Sequence, residues 1–576
     1  MTILKSHGGR KNGSLIGVTS IVALLTAAAI ALSGFSVSAK SHSTSSGATA
    51  NSTSNGVKSH STSSGVKLTF MTPPAKGPIS NFVWDLPVGE PTTLDYAKVG
   101  ISSGNMVEAN LCDTLRRVNP NLTYGPNLAT SYKYSADHLT LTYALRHDVK
   151  FWDGTPLTSA DVAYSLQRNM NPADGPVNGY VYPNVKSITA TGPYTVVVKF
   201  KKPDEMFNDE MGGAPGVIAE KAYIKKAGNA YGTSSGGIMC SGPFKLQSWT
   251  PGSQMVLTAN TSYWNKKLIP HAKTVTLKFI TDTGTLVQAL KSGAIDGAYQ
   301  IPAAAYPALK GQGAGKLYFG LAPRLNELLA NDTPVGNDQN IRKALSMVLD
   351  RAALAAKIYY GGAQPAYSIL PKPLWDNRAL PTYQKIFNAL NLPTSPNPAA
   401  AKALIKNDPL AKDPIRINAL AGDQTQENVL TLWQEEAKSI GLNIQITIQQ
   451  PLQWNNAFYE STARHGIDFL FDPTYTYVPD PLDYLGDNVY EGGSLTYINS
   501  PGATKATTYL AKARATFGAT PRAELIGQAL KLATAAQLVI PIVTEDLGTY
   551  MNKRITGAIA TWGCFAYPSL ALIGGS

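Results

Sequence analysis

FWDGTPLTSADVAYSLQR, residues 151–168, sets a tight turn, a helix start and an amphipathic helix in immediate succession. Gly154 and Pro156 supply the backbone geometry that a turn needs. Thr158 and Asp161 have the spacing of a capping box, and Val162, Leu166 and Met170 recur on one helical face. Just upstream, LTLTYAL (139–145) alternates with period two and predicts a strand. Nothing in this unit looks catalytic, so its role is read as structural.

The same signals continue along the chain. TVVVKF (195–200) and TVTLKF (274–279) predict strands, and Ile341, Leu345, Val348 and Leu349 line one face of a helix. Asp423 and Gln426 cap a further helix that carries Val429, Leu432, Trp433 and Ile440. Gly441 ends it, and LNIQITI comes next as an alternating strand. Helices and strands interleave throughout, which is the pattern of a mixed α/β chain.

At 576 residues the chain is too long for one simple core, and two or three structural units are expected. Hydrophobic residues make up 44%, enough for sizeable cores, while charged residues, at 15%, fall below the roughly 25% usual for soluble domains. The formal charge of +12 is spread thinly, with no Lys/Arg run interleaved with aromatics, so nucleic-acid binding is set aside. The first residues carry Lys5, Arg10 and Lys11, then an apolar run (15–35) and a small-residue site at Val37-Ser38-Ala39. This is the layout of a signal peptide over 1–39, and the run is also long enough to span a bilayer if it is not cut. No cysteine stands after it, which excludes lipoprotein attachment. Residues 40–67 contain KSHSTSSG twice and are rich in Ser, Thr and Gly, the composition of a flexible linker. His42 and His60 are read as copies within that repeat. An exported domain is expected, in the periplasm or at the outer face of the cytoplasmic membrane, with the apolar segment as its tether if uncut.

Catalytic and metal motifs find little support. Cys112, Cys240 and Cys564 lie far apart, so at most one disulfide forms, and three buried small residues is an equal reading. GISSG (100–104) and GTSSG (232–236) match a nucleophile elbow, but only the first precedes a plausible helix. A secreted serine hydrolase built on Ser102 is therefore kept as the alternative of another class. KGQGAGKL lacks a phosphate-loop glycine at Lys310 and has Leu317 where Ser or Thr is required. His138, His147, His271 and His465 show no metal-ligand spacing, and Asp480 and Asp483, in a loop with Pro479 and Pro481, read as turn formers. The chain does not read as an enzyme, and no cofactor or metal is expected.

The longer stretch NLATSYKYSADHLTLTYALRHDVKFWDGTPLTSADVAYSLQRNMNP (127–172) closely resembles the signature of the family 5 extracellular solute-binding proteins. The likeness lies in an LA-x-Tyr/Trp strand, an alternating strand ending in Leu-Arg, and the run V-x-F-x-D-G-T-P. FVWDLPVGEPTTLDY (82–96), CSGPFKLQSWTPGSQMVLTANTSYWNK (240–266), LVQALKSGAIDGAY (286–299), NDQNIRKALSMVLDRAALAAKIYYGGA (337–363) and DFLFDPTYTYVPDPLDYL (468–485) come in the family's order.

The resemblance implies an α/β, two-lobed periplasmic-binding-protein-like fold of type II, with the extra domain of the peptide-binding members. Lobe I is placed at 68–106, 237–318 and 538–576, the extra domain at 107–236 and lobe II at 319–537. It also implies a monomeric substrate-binding subunit that captures a peptide or similar solute and serves an ABC permease with its ATPase subunits. A receptor or chaperone role is the variant of this reading. Ligand contacts are implied near Leu86, Pro87, Gly89, Glu90, Cys240 and Ser241 in lobe I. In lobe II they are Arg324, Asn326, Asp423, Trp454, Tyr475, Tyr477 and Asp480, with Arg324 suited to clamp a carboxylate. One departure matters: peptide binders of the family commonly hold the amino terminus with an aspartate where this chain has Tyr477. A phenol carries no full charge near neutral pH. Asp472 or Asp480 is then the substitute, or the ligand is an oligosaccharide or another non-peptide solute.

Overall fold

Phe82 and Trp84 point the same way from the strand Ile79–Asp85 and are fully buried, as period-two alternation requires. The computed structural model that shows this describes residues 66–576 except Gln312, Tyr477 and Asn499. The leader and the linker predicted at 1–39 and 40–67 lie outside the described residues, apart from Val66 and Lys67.

Ile79–Asp85 is the centre of a seven-stranded sheet. It pairs in parallel with Ala272–Lys278 and Gly297–Ala298, the hairpin Phe244–Thr250/Gln254–Ala259 extends one side, and Leu547–Asn552 and Gly315–Gly320 the other. Gly297 is required where it stands: a Cβ there would sit 2.5 Å from the Trp84 ring. A second sheet has six strands, with Arg324–Ala330 between Val539–Glu545 and Phe469–Tyr475. Its Pro414–Leu420 and Asn443–Gln449 are parallel, joined by the helix Gln424–Ile440 as a βαβ unit. Asp423 caps that helix through the amides of Thr425 and Gln426, and Gly441 closes it at φ 97°.

A third body holds the four-stranded antiparallel sheet of Ala129–Tyr134, Thr140–Leu145, Thr195–Phe200 and Val185–Gly192. Here the 151–168 stretch forms its turn, with Gly154 at φ 94°, its amide donating to Phe151 O at 2.9 Å. Asp161 Oδ2 accepts from the Thr158 amide at 3.0 Å and hydroxyl at 2.9 Å, opening the helix Ser159–Arg168. Val162 and Leu166 are fully buried against the sheet, while Met170 lies past the helix end and is half-buried. The helix ends on Arg168, whose guanidinium grips Asp95 of the first lobe at 2.7 and 2.8 Å.

The chain passes from the first sheet to the second between Gly320 and Arg324, and returns at Asp546. The stretch 538–576 is thus divided. Val539–Glu545 pairs with Arg324–Ala330 in the second sheet, and only from Leu547–Asn552 onward does the stretch belong with the first. Its run of buried apolar residues fits either sheet, so pattern alone did not assign it.

Candidate functional site

The two lobes share part of one buried apolar core, and specific polar and aromatic contacts bridge the cleft between them. Tyr475, at the end of its strand, donates through its hydroxyl to Gly100 O and accepts from Asn105 Nδ2, both at 3.3 Å. Trp562 Nε1 donates to Thr476 O at 3.0 Å. The Tyr475 and Trp562 rings lie 5.0 Å apart, and Trp562 and Phe565 4.2 Å apart, an aromatic platform spanning both lobes.

Around these bridges, buried polar atoms stand without hydrogen-bond partners: Ser103 Oγ and Asn105 Oδ1 on the first lobe, and Arg324 Nε, Asn326 Oδ1 and Thr476 Oγ1 on the second. Native structures leave few such groups unsatisfied, and those that remain tend to face a ligand or water. Arg324 pairs with Glu545 at 3.4 Å, and Asn326 Nδ2 donates to Tyr359 OH at 2.8 Å and Glu545 at 3.1 Å. Burial pushes the Glu545 and Asp423 carboxyls up, while Arg324 pulls both down. Asp472 shares this field: burial raises its carboxyl, a hydrogen bond from Thr474 opposes that, and Asp487 adds to the rise. Glu327, which stands across from Asp472 in the strand pairing, accepts from Thr474 Oγ1 at 2.9 Å and from Tyr484 and Asn488.

The sequence candidates divide. Leu86 and Pro87 line a small cavity with Ser103 and Gln300 at the cleft end of the first sheet, and Gly89 turns the chain there at φ 99°. Arg324, Asn326 and Tyr475 lie together at the lobe junction, with Asp423 in Arg324's field. Trp454 packs edge-on against Phe458 at 4.7 Å, its indole N–H buried and unpartnered. Tyr477 lies outside the described residues. Four others are engaged by the scaffold instead. Glu90 accepts from Trp249 Nε1 and from the Gly252 amide at 2.7 Å, fastening a hairpin. Cys240 forms a disulfide with Cys112, leaving Cys564 free and buried, and Ser241 donates to Asp113 at 2.8 Å. Asp480 is held by Arg522 at 2.6 and 2.7 Å and caps the helix Pro481–Asn488, so it cannot stand in for an acid at position 477. Asp472 is the remaining substitute.

Gly100, Asn105, Thr476 and Trp562 had not been singled out. Asn105 sits inside GISSGNMVEANL, whose helical pattern draws attention to packing, and Trp562 lies in a short turn with no periodicity. Ser102 opens the helix Ser102–Leu111, with no strand before it, and donates to Gln300 Oε1 at 2.8 Å. An amide oxygen is no general base, which removes the basis for a serine nucleophile. Among the described residues no cluster of three or more His, Cys, Asp or Glu is placed to hold a metal.

Two α/β lobes joined by two crossovers, with an inserted third domain and a polar cleft, define a solute-binding protein. The sequence model described as bacterial extracellular solute-binding proteins, family 5 middle, matches residues 123–495, and the chain belongs to this family. It is 29% identical over 252 residues to the probable D,D-dipeptide-binding periplasmic protein DdpA of Escherichia coli K12, covering 43% of this chain and 48% of that protein. It is 24% identical over 359 residues to the glutathione-binding protein GsiB of the same strain, covering 62% and 67%. The matches thus span about half to two thirds of these relatives' length. In structure it is similar to Helicobacter pylori DppA with peptide STSA (TM-score 0.75, 18% identity, 87% of this chain and 99% of that one). AgaA of A. tumefaciens R10 with agropinic acid is similar too (TM-score 0.74, 22% identity, 86% and 98%).

Proposed function

We propose that this chain is the extracytoplasmic substrate-binding subunit of an ABC importer, enclosing a short peptide between its lobes and delivering it to a membrane permease. The observation that carries this is the set of unpartnered buried polar atoms gathered on the two facing surfaces, donors on Arg324 and acceptors on Asn105 and Asn326. A solute with a carboxylate and amide groups satisfies them. Asp472 is the acid available for an amino terminus. Relatives named for a D,D-dipeptide, glutathione and murein peptide support the peptide class.

The second reading, an oligosaccharide or other non-peptide solute, is favoured by Tyr477 and by the aromatic platform of Tyr475, Trp562 and Phe565. A thermal-shift panel separates the two. It holds di- to pentapeptides with free or acetylated amino termini, oligosaccharides and metal chelates. A ligand at a hundred times its Kd stabilises by about 2.7 kcal/mol, a readable shift. Free but not acetylated peptides are expected to raise Tm, and Asp472→Asn is expected to abolish that preference. A rise with sugars or chelates alone overturns the peptide reading.

A further inference from the structure

We propose that the first lobe carries, away from the cleft, a site for anionic phospholipid headgroups formed by Lys76, Lys310, Lys316 and Lys553. The strand Gly315–Gly320 begins there, beside Asn552 at the far end of Leu547–Asn552, while its other end leads to the crossover into the second lobe. A cavity of about 730 Å³ opens at this place. Leu309, Leu317 and Ile555 form an apolar floor, and Pro73 and Pro74 form a wall.

The charged side chains that line this cavity are all basic. The four exposed lysines come from three separate segments, and no Asp or Glu lines the cavity. Among the described residues none of the four makes an ion pair, whereas the neighbouring Arg554 is neutralised by Asp296 at 2.9 Å. Lys310 donates one proton to Tyr360 O at 3.1 Å and keeps two, and Lys316 lies over the Tyr318 ring at 5.0 Å. Ammonium groups on flexible stems suit a phosphate as point charges, and an apolar floor below them suits the glycerol and first acyl carbons of a lipid.

A membrane lipid fits better than a free anion because of where the chain comes from. Pro73 and Pro74 stand shortly after Val66, the first described residue, and before that lie the Ser/Thr/Gly-rich segment 40–67 and the apolar run 15–35. In sequence, the wall of this cavity therefore stands close after that apolar run. Each lysine at an anionic surface strengthens attraction roughly fivefold. The inference is independent of what the cleft binds.

The test uses the full chain, its apolar segment seated in nanodiscs of phosphatidylcholine alone or with phosphatidylglycerol. Lysines are labelled with an amine reagent and read by peptide mass spectrometry. Labelling of Lys76, Lys310, Lys316 and Lys553 is expected to fall about fivefold with phosphatidylglycerol and to recover in roughly 0.5 M salt. Lys133 and Lys199, exposed on the inserted domain, serve as controls and are expected not to change. The triple variant K310Q/K316Q/K553Q, altered only at exposed positions, is expected to lose the protection of Lys76. Equal labelling in both lipids overturns the proposal. So does the same protection from inorganic phosphate added to neutral discs, which would make the site one for a soluble anion.

Discussion

Asp480 shows how one side chain can be misread from its neighbours in sequence. The family resemblance placed it among the cleft residues, yet its carboxylate is buried against Arg522, with Glu205 3.5 Å from the same guanidinium. Removing one partner of a buried pair leaves the other uncompensated, at a cost of about 3–5 kcal/mol. Asp480→Ala is expected to lose that much in urea denaturation, and Asp480→Asn less, because it keeps an acceptor for the Leu482 amide. Equal losses for both would mean that the lost charge accounts for the whole effect and that the acceptor for the Leu482 amide adds nothing. Asp85 makes a different case. Burial pushes its carboxyl up to about 7, against hydrogen bonds from the Ile280 and Leu86 amides. Its unfolded value lies near 4, so between those pH values the folded chain holds the proton more tightly. Stability from this group therefore falls as pH rises from about 4 to 7 and levels off above. Glu436, raised to about 7, and Asp546, raised to about 8, act in the same direction. Tm is expected to be higher at pH 5 than at pH 8, and Asp85→Asn to flatten that dependence. An unchanged slope in the variant would assign the effect elsewhere.

Among elements, those with a strong local period were legible. The 151–168 turn and helix, the capped helix after Asp423 and the alternating strands all formed where patterning put them, because each buries one face and caps its own end. The assignment of Val539–Glu545 to a sheet was not legible, since a fully buried strand has no polar face to mark its neighbour. The cleft was only partly legible for a related reason. Tyr475 belongs to a segment with a family pattern and Arg324 is implied by the resemblance, but Asn105 and Trp562 reach the cleft from positions that only tertiary packing defines. The disulfide was equally hidden. It joins Cys112 to Cys240 within the first lobe's core and so closes the long stretch that carries the four-stranded sheet. Closing so long a loop removes unfolded-state entropy, and such bridges typically add about 2–4 kcal/mol of net stability. The double variant C112S/C240S is expected to unfold at lower urea by that amount, with the loss reproduced by reducing the parent chain. A reduced parent as stable as the oxidised one would show that the bridge adds no stability.

At the scale of the whole molecule, closure is shared between the cleft and a second contact remote from it. The inserted domain touches the second lobe through Arg514, which binds Asp204 at 2.8 Å and the carbonyls of Tyr180 and Val181. Tyr180 OH donates to Asp483 at 2.6 Å, and the His138 ring stacks on Phe517 at 3.8 Å. These residues bridge the second lobe and a domain that Arg168–Asp95 anchors to the first lobe. They are expected to favour the closed form before any solute arrives. Apparent affinity is the intrinsic affinity scaled by the closed fraction, so weakening this contact weakens binding without altering a single ligand contact. Arg514→Gln is expected to raise the radius of gyration of the ligand-free chain in X-ray scattering. It is also expected to weaken binding of the tightest ligand from the panel about tenfold, the factor for roughly 1.4 kcal/mol of lost closure. With ligand at saturation the scattering curves of parent and variant are expected to coincide, since both reach the same closed state. An affinity loss with no change in the free chain would place the effect in local unfolding of the inserted domain, and the contact would then be scaffold and not latch.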